Sequence, residues 1–468
     1  MSEKTMGEKL QEQLLDTPKN GYDRIDDATQ AAIQEFSEGY KAFLDNGKTE
    51  GEVVEYTIAM LKEHGYEEYQ LGKKYGPGDK LYLNNRGKAL AFVTMGTKPL
   101  SEGVKMVASH IDSPRIDMKP HPLYEDTQTA FFKTHYYGGL RKYQWVVMPL
   151  ALHGVVVKKD GTQVKIHIGD DEGDPVFVIN DLLPHLAQQQ SQRTLAEGIK
   201  GEELNIVVGG CPFKDDKVSQ RVKLAIAKIL FDKYSIVESD FVTAEITAVP
   251  AFGARDVGFD RSFVGGYGQD DRVCAYTSLI AALESPNPTY TTVTVFADRE
   301  EIGSCGNTGM KSAYLKHFLA DLAAPYGIPV RNILDSSECL SSDVAAAVDP
   351  TFPEVTEKYN SAYMNYGVSI EKYTGSRGKS GTSEASAVFF AKLRKLFDDA
   401  GVVWQTGELG KVDQGGGGTV AVYLAEENMD VIDVGVPVWS MHAPFEVTSK
   451  LDIYMAYRAY VAFLNMKD

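Results

Sequence analysis

The stretch from position 291 to 304 constrains the fold most, because a strand pattern there runs directly into acidic residues. Residues 291–297 are β-branched or apolar, and Glu300, Glu301 and Gly303 follow shortly afterwards. Such a composition is typical of a buried strand in a parallel sheet, and ligands collect beyond the carboxyl ends of these strands. The segment therefore predicts an α/β fold in which two glutamates stand at the end of a strand.

Two adjacent glutamates at a strand end suggest metal chemistry. A buried carboxylate pair is costly unless something compensates its charge, and a divalent metal ion would do so. One glutamate could then bind metal while the other accepts a proton from water. The alternative is a solvated loop with two surface glutamates, because most carboxylates in proteins are exposed.

Composition limits the class of protein. A chain of 468 residues exceeds the size at which one core stops growing, so we expect two domains or more. Its net charge of −17 argues against nucleic-acid and anionic-membrane partners, and we find no apolar run that could span a bilayer. Residues 1–20 lack the apolar core of a signal peptide, and the four cysteines form no Cys-x-x-Cys pair. We therefore expect a cytoplasmic protein.

A change of pattern from about Pro120 predicts an inserted region. Residues 144–168 resemble antiparallel strands, and a helical pattern near 182–192 interrupts them. Residues 250–268 are rich in Gly, Asp and Phe and are interpreted as a linker that returns to the first domain. The predicted organisation is one domain made of residues 1–119 and 251–468, interrupted by a smaller β-rich domain of residues 120–250.

Several other polar side chains follow a strand or stand at a strand-to-helix turn. His110 and Asp112 come after the strand-like residues 104–109, and an Asp in this place can fix the tautomer of a metal-binding imidazole. Taken singly, each candidate could equally be a loop residue or a helix N-cap. In an open α/β sheet, however, such strand ends meet in one crevice. The full candidate set is His110, Asp112, Asp270, Glu300, Glu301, Asp343 and His442.

These residue types predict the kind of metal site. Two histidines and several carboxylates without thiolates suit two divalent metal ions roughly 3.5–4 Å apart. The histidines favour zinc, and manganese or cobalt are alternatives.

The order of the motifs resembles that of a known family. The segments that carry the resemblance are His110-Ile111-Asp112-Ser113-Pro114-Arg115, Gln269-Asp270-Asp271-Arg272, Asp298-Arg299-Glu300-Glu301-Ile302-Gly303-Ser304, Ser342-Asp343 and Met441-His442. With these segments in this order, the chain is similar to the aspartyl aminopeptidase and vacuolar aminopeptidase I family of co-catalytic zinc metallopeptidases, and the similarity extends over nearly the whole chain. That resemblance implies a mixed-sheet α/β catalytic domain with helices on both faces, interrupted by a β-rich oligomerisation domain.

The resemblance also implies roles for these residues. Asp270 would bridge both metal ions, and Glu300 would be the general base that takes a proton from the di-metal-activated water and later protonates the leaving amine. Asp112 would orient His110. The remaining metal ligands would divide into two pairs, His110 with Asp343 and Glu301 with His442. Two departures from the family pattern are Asp271, where other members have Asn, and Arg299.

The implied substrates are peptides with a free amino terminus, from which an acidic or neutral first residue is removed. Members of the family assemble into tetrahedral dodecamers, so a homo-oligomer is expected, with His185 reaching a neighbouring subunit. The residues assigned to substrate binding are His185, Arg377, Lys379, Gly416 and Gly417.

Two other functions fit the same residues. A di-metal deacylase acting on amide-linked small molecules would keep the metals but cleave a different bond. A non-catalytic oligomeric scaffold would need neither the carboxylates nor the histidines, so the complete candidate set argues against it.

Overall fold

The structure is a computed structural model and describes residues 4–467. Its α-helices are α1 (Met6–Leu14), α2 (Asp27–Asn46), α3 (Glu50–Glu63), α4 (Arg221–Tyr234), α5 (Gln269–Leu283), α6 (Tyr314–Ala323), α7 (Val330–Leu334), α8 (Ala387–Asp399), α9 (Ala421–Ala425) and α10 (Lys450–Leu464). Its strands are β1 (Glu67–Glu68), β2 (Lys80–Asn85), β3 (Ala89–Thr94), β4 (Val104–His110), β5 (Arg115–Asp126), β6 (Thr129–Tyr137), β7 (Leu150–Val157), β8 (Gln163–Ile168), β9 (Val178–Ile179), β10 (Ile206–Gly209), β11 (Ala244–Pro250), β12 (Arg255–Val257), β13 (Phe263–Gly266), β14 (Thr291–Ala297), β15 (Glu338–Ser341), β16 (Ala345–Ala346), β17 (Val368–Glu371), β18 (Trp404–Thr406), β19 (Asp430–Gly435), β20 (Pro437–Trp439) and β21 (Glu446–Ser449).

A nine-stranded mixed sheet forms the centre of the molecule. Its strand order is β1-β2-β3-β14-β4-β15-β19-β17-β18, and the four neighbours β14, β4, β15 and β19 run parallel. Strands β3 and β17 pair antiparallel with the two ends of this parallel group. The sheet and its helices confirm the predicted mixed α/β class.

Helices cover both faces of this sheet because successive strand residues point to opposite sides. On β14, Phe296 packs in the core formed with α2, α3, α5, α8 and α10. Its neighbours Val293, Val295 and Ala297 pack in the opposite core, formed with α6, α7 and α9. Burial on both sides explains why residues 291–297 read as one continuous apolar and β-branched run.

Residues 115–250, which we call the inserted region, build a second, seven-stranded sheet. Its order is β8-β7-β11-β5-β6-β10-β9, with antiparallel pairing throughout, and α4 packs on it. Trp145 and Ile206 are fully buried in a core separate from those of the central sheet. This part of the chain is therefore rich in antiparallel strands, and its separation as a domain of residues 120–250 stays a prediction.

Two predictions within this part of the chain are wrong. The predicted helix at 182–192 is replaced by two short 3-10 turns, Pro184–Leu186 and Gln190–Gln192, because its leucines have no surface to pack on and stay exposed. The predicted linker at 250–268 contains β12 and β13. These strands form a third sheet of order β12-β13-β21-β20-β16, since β13 pairs with β21 near the end of the chain.

The central sheet brings three strand ends to one level. Ala297 at the end of β14 lies beside His110 at the end of β4, and Ser341 at the end of β15 lies beside Ala108. The segments that follow these strands therefore leave the sheet at the same edge. Within residues 4–467, no helix combines the length and the apolar character needed to cross a membrane.

Candidate metal centre

Four structural elements and one loop deliver the metal-ligand candidates to this edge. His110 ends β4, Asp343 follows β15, and Glu301 lies in the 3-10 turn after β14. Asp270 lies at the start of α5, where its backbone is extended rather than helical (φ −83°, ψ 107°), and His442 lies in the loop between β20 and β21. We call His110, Asp270, Glu301, Asp343 and His442 the strand-end cluster.

Asp270 lies between the two histidines of the strand-end cluster. Its Oδ1 is 3.1 Å from Nε2 of His110, and its Oδ2 is 3.1 Å from Nε2 of His442. Asp343 Oδ1 is 3.8 Å from the first imidazole, and Glu301 Oε1 is 3.5 Å from the second. The five side chains thus form two trios that share one carboxylate, and within each trio the ligand atoms lie within 4.8 Å of one another.

The donor set fits a pair of divalent ions. Ligands about 2.0–2.2 Å from a tetrahedral zinc are roughly 3.3–3.6 Å apart, which is the scale of the distances in both trios. Oδ1 of Asp270 and Oε1 of Glu301 are buried without a hydrogen-bond partner, a costly arrangement that a cation would relieve. These five side chains could therefore hold two ions with Asp270 as the shared ligand.

Hydrogen bonds on the far ring nitrogens set the histidine tautomers. His110 Nδ1 donates to the carbonyl oxygen of Asp112 at 2.9 Å, and His442 Nδ1 donates to the carbonyl oxygen of Gly139, also at 2.9 Å. Because a carbonyl oxygen only accepts, Nδ1 carries a proton in each ring, and Nε2 is the atom that faces the shared carboxylate of Asp270. Both rings are thus oriented as metal ligands usually are.

The pKa values of several side chains in the strand-end cluster are shifted from their ordinary values. Burial raises the pKa of Glu301 and of Asp343 well above the usual range, and the neighbouring carboxylate of Asp270 adds to this. Burial alone would lower the pKa of His442, but its contacts with Asp270 and Glu301 raise it to about 10. A pocket that holds protons this tightly also favours other cations.

Asp112 contacts both His110 and the two neighbouring glutamates, Glu300 and Glu301. Its carboxylate accepts hydrogen bonds from the backbone N–H groups of Glu300 at 3.0 Å and Glu301 at 3.2 Å, and from the Tyr137 hydroxyl at 2.8 Å. Burial, with the charges of Asp112 and Asp270, raises the pKa of Glu300 to about 7. A carboxyl group with this pKa can accept and release a proton near neutral pH.

Sequence reasoning missed three residues of this site. Tyr137 and Gly139 come from the inserted region, and the Tyr-Tyr-Gly-Gly run at 136–139 was the one available signal. Glu446 is buried behind the pocket, where its two carboxylate oxygens accept the backbone N–H groups of Asp270 at 3.1 Å and His442 at 2.7 Å. Burial raises the pKa of Glu446 to about 8. A single glutamate on β21 gave no pattern that could have identified it.

The predicted substrate-binding residues form contacts of their own. Lys379 forms an ion pair with Glu384 at 2.9 Å, and Gly375 donates its N–H to the carbonyl oxygen of Gly417 at 2.6 Å. Arg377, Lys379 and Gly416 line one cleft, and His185 is exposed on a 3-10 turn of the inserted region. Within residues 4–467, no hydrogen bond or ion pair joins the five predicted substrate-binding residues to the strand-end cluster.

Comparison with known proteins identifies the family. Residues 43–464 match the family described as aminopeptidase I zinc metalloprotease (M18). A probable M18 family aminopeptidase 1 of Clostridium acetobutylicum is 50% identical over 460 residues, which cover 97% of this chain and 99% of that protein.

Solved structures agree with this assignment. The crystal structure of an M18 family aminopeptidase from Thermotoga maritima superposes with a TM-score of 0.92 at 43% identity, covering 96% of this chain and 100% of that one. The S. cerevisiae mApe1 dodecamer shares the fold, with a TM-score of 0.73 at 20% identity and coverage of 92% and 96%. The resemblance seen in the motifs is confirmed: the chain belongs to the aminopeptidase I zinc metalloprotease (M18) family and is a metal-dependent aminopeptidase.

Proposed function

We propose that this aminopeptidase removes an acidic or neutral first residue from peptides with a free amino terminus. Two divalent ions would be held by the strand-end cluster, with zinc as the native metal and manganese or cobalt as substitutes. The observation that carries the proposal is the carboxylate of Asp270, whose two oxygens each face a different histidine at 3.1 Å. A single carboxylate in this position suits a pair of ions.

We assign the proton transfers to Glu300 and the positioning of this residue to Asp112. When bound, the ions would lower the pKa of water towards about 7 and polarise the scissile carbonyl. Glu300 takes a proton from the attacking water and later delivers it to the leaving amine. Asp112 acts on the backbone of Glu300 and on the ring of His110, so it positions the base relative to the ligands.

A free amino terminus would also be required, because an unacylated amine has a lone pair with which it could bind one of the two ions. An acylated nitrogen has no available lone pair and would lose this contact. A small-molecule deacylase would accept such blocked substrates, so they separate the two functions.

We assign selection of the amino-terminal residue of the substrate to the loop that carries Arg377 and Lys379. Either cation would favour an acidic side chain, but the ion pair between Lys379 and Glu384 competes for that charge. The Lys379 ammonium also lies 3.8 Å above the ring of Tyr373. These contacts favour neutral first residues over acidic ones, while Gly416 and Gly417 leave room for a peptide backbone.

We further propose that residues 120–250 form an oligomerisation domain and that the chain assembles as a tetrahedral dodecamer. The solved mApe1 particle of similar fold is a dodecamer. In this chain the turn that carries His185 is flanked by exposed Leu182, Leu183 and Leu186, and an exposed apolar group of this kind marks a contact surface. His185 would then reach the active site of a neighbouring subunit. The proposed setting is the cytoplasm, with neither nucleic acid nor membrane as partner.

The substitution Glu300→Gln tests the proposed base. We expect the variant to bind the same number of zinc ions as the wild type but to lose about 100- to 10,000-fold in kcat, the usual contribution of a general base. Glu354→Gln, at an exposed position, is the matched control. The measurements are zinc per chain and hydrolysis of dipeptides that begin with Asp, Glu, Leu, Met or Lys.

Three outcomes would contradict the proposal. Wild-type turnover by Glu300→Gln would exclude this residue as the base. Fewer than one ion per chain after reconstitution would exclude the paired site. Equal cleavage of amino-blocked and free peptides would favour the deacylase.

A further inference from the structure

A second group of metal-ligand side chains lies away from the strand-end cluster, where α3 contacts the inserted region. His153 on β7 and His167 on β8 face each other as direct cross-strand partners, and their ring centroids are 4.2 Å apart. Glu52 on α3 points at both rings, and Asp170 lies on their other side. We call Glu52, His153, His167 and Asp170 the seam cluster.

Three ligand atoms of the seam cluster converge on one point. Oε1 of Glu52 is 2.9 Å from Nδ1 of His153 and 3.4 Å from Nδ1 of His167. All three atoms lie within 4.8 Å of one another. Two imidazoles and one carboxylate on one face form a donor set that zinc and related divalent ions accept, with the remaining position open to water.

The opposite side of the rings supplies the outer carboxylate that such sites need. Oδ2 of Asp170 is 2.8 Å from Nε2 of His153 and 3.6 Å from Nε2 of His167. The negative charge of a carboxylate near Nε2 favours the tautomer protonated on that nitrogen, which leaves Nδ1 free to bind a metal. Lys48 forms an ion pair with the other oxygen of Asp170 at 2.6 Å.

Two buried polar atoms of the seam cluster lack a hydrogen-bond partner. His153 is fully buried, yet its Nε2 and Oδ2 of Asp170 are both without a hydrogen bond of acceptable angle. Oε2 of Glu52 is already used, because it accepts the N–H and the hydroxyl of Thr49 in the capping box of α3. Only Oε1 of Glu52 remains for the two rings, and it lies 2.9 Å from Nδ1 of His153 but 3.4 Å from Nδ1 of His167.

A proton alone explains the arrangement less well than a metal ion. Two imidazolium rings with centroids 4.2 Å apart would repel each other, so only one of the two histidines can be charged at low cost. One ion bound to both neutral rings uses both Nδ1 atoms and the free oxygen of Glu52. His167 is about half exposed, which gives an ion a route from solvent.

We propose that Glu52, His153 and His167 hold a third divalent ion of the zinc class, separate from the catalytic pair. Because Glu52 belongs to α3 and both histidines belong to the inserted region, the ion links the two parts of the molecule. The inserted region contributes Tyr137 and Gly139 to the catalytic pocket. The seam ion therefore has a structural role, holding that region in the position from which these two residues act.

Zinc counting tests the third site directly. The full-length protein and its variants are equilibrated with zinc, freed of unbound metal and analysed for zinc per chain by atomic emission. We expect His167→Gln to contain one ion fewer than the wild type. Glu52→Gln should lose the same ion, although glutamine at this position still supports the capping box of α3. His121→Gln, an exposed histidine on β5 of the same sheet, is the matched control and should keep the wild-type count.

Two results would overturn the proposal. The first is an equal zinc count in the wild type, His167→Gln and Glu52→Gln. The second is a loss of zinc from His121→Gln as large as that from His167→Gln, which would show only non-specific binding by surface histidines. Failure of the catalytic proposal would give a different result. It would appear as wild-type turnover by Glu300→Gln, and the zinc count of the seam-cluster variants would not depend on it.

Discussion

The strand-end cluster and the seam cluster contain the same types of side chain but differ in carboxylate number and in neighbours. The first has three carboxylates for two histidines, a shared Asp270, and Glu300 beside it with a pKa near 7. The second has one carboxylate on each side of two neighbouring rings, and Lys48 forms an ion pair with one of these carboxylates, Asp170. A carboxylate shared by two ions, with a proton acceptor beside it, suits a hydrolytic site. Two histidines held between carboxylates, with no such proton acceptor among the seam-cluster residues, suit a structural ion. The side chains around the metal ligands, rather than the ligand types themselves, therefore distinguish a catalytic site from a structural one.

The largest effect should come from the shared ligand. Asp270→Asn removes the charge that both trios use, so we expect loss of both catalytic ions and a fall in kcat/KM of about 1,000-fold or more, equivalent to several kcal/mol. Asp171→Asn, at an exposed position of the inserted region, is the control. Zinc analysis and peptide hydrolysis provide the readouts. A variant that kept both ions and full activity would remove the distinction between the clusters.

The next effect should come from the carboxylate behind the pocket. Glu446→Ala removes the acceptor for the backbone N–H groups of Asp270 and His442, and loss of such support usually costs 10- to 100-fold in metal affinity or activity, so about that fall is expected. Glu446→Gln keeps one acceptor oxygen and should lose less. Zinc affinity and kcat are measured beside Glu426→Gln, an exposed control. Equal affinities in all four proteins would show that Glu446 only fills space.

A smaller effect is expected from the inserted region. Tyr137→Phe removes one hydrogen bond to Asp112, worth about 1 kcal/mol, so kcat/KM should fall by roughly fivefold. Tyr143→Phe changes an exposed tyrosine nearby and serves as the control. Steady-state hydrolysis of a neutral dipeptide measures both. An unchanged rate would mean that the inserted region does not contribute to catalysis through this contact.

The smallest effect on turnover is expected from a buried carboxylate pair that has no histidine, Glu371 on β17 and Asp433 on β19. Burial raises the pKa of Glu371 from 4.5 to about 8 and that of Asp433 to about 6. The folded protein therefore holds protons that the unfolded chain releases, and the free energy of unfolding should fall as pH rises from about 4.5 through 8.

Glu371→Gln should remove most of that slope. We expect the variant to exceed the wild type in stability by about 5 kcal/mol at pH 9 and to match it near pH 4.5. Urea unfolding at both pH values, with Glu354→Gln as control, measures the difference. Parallel pH profiles for wild type and variant would show that a cation or another group already compensates this pair.

Much of the fold followed from local patterns. Residues 291–297 form β14 as predicted, because a strand buried on both faces needs apolar and β-branched residues throughout. The helix prediction at 182–192 failed because a helix also needs a surface to bury its apolar face, and none is present there. The linker prediction at 250–268 failed because the strand partner, β21, lies far along the chain.

By itself, the sequence determined the chemistry available at each strand end: His110 after β4, Glu300 and Glu301 after β14, and Asp343 after β15. These assignments are local, since they depend on periodicity and on the residues that directly follow a strand. Only the tertiary structure decided which distant groups meet these residues. The sheet register placed the strand ends level, the folding of the inserted region carried Gly139 to the pocket, and the pairing of β7 with β8 made the seam cluster. Such meetings depend on long-range packing, and no local pattern encodes them.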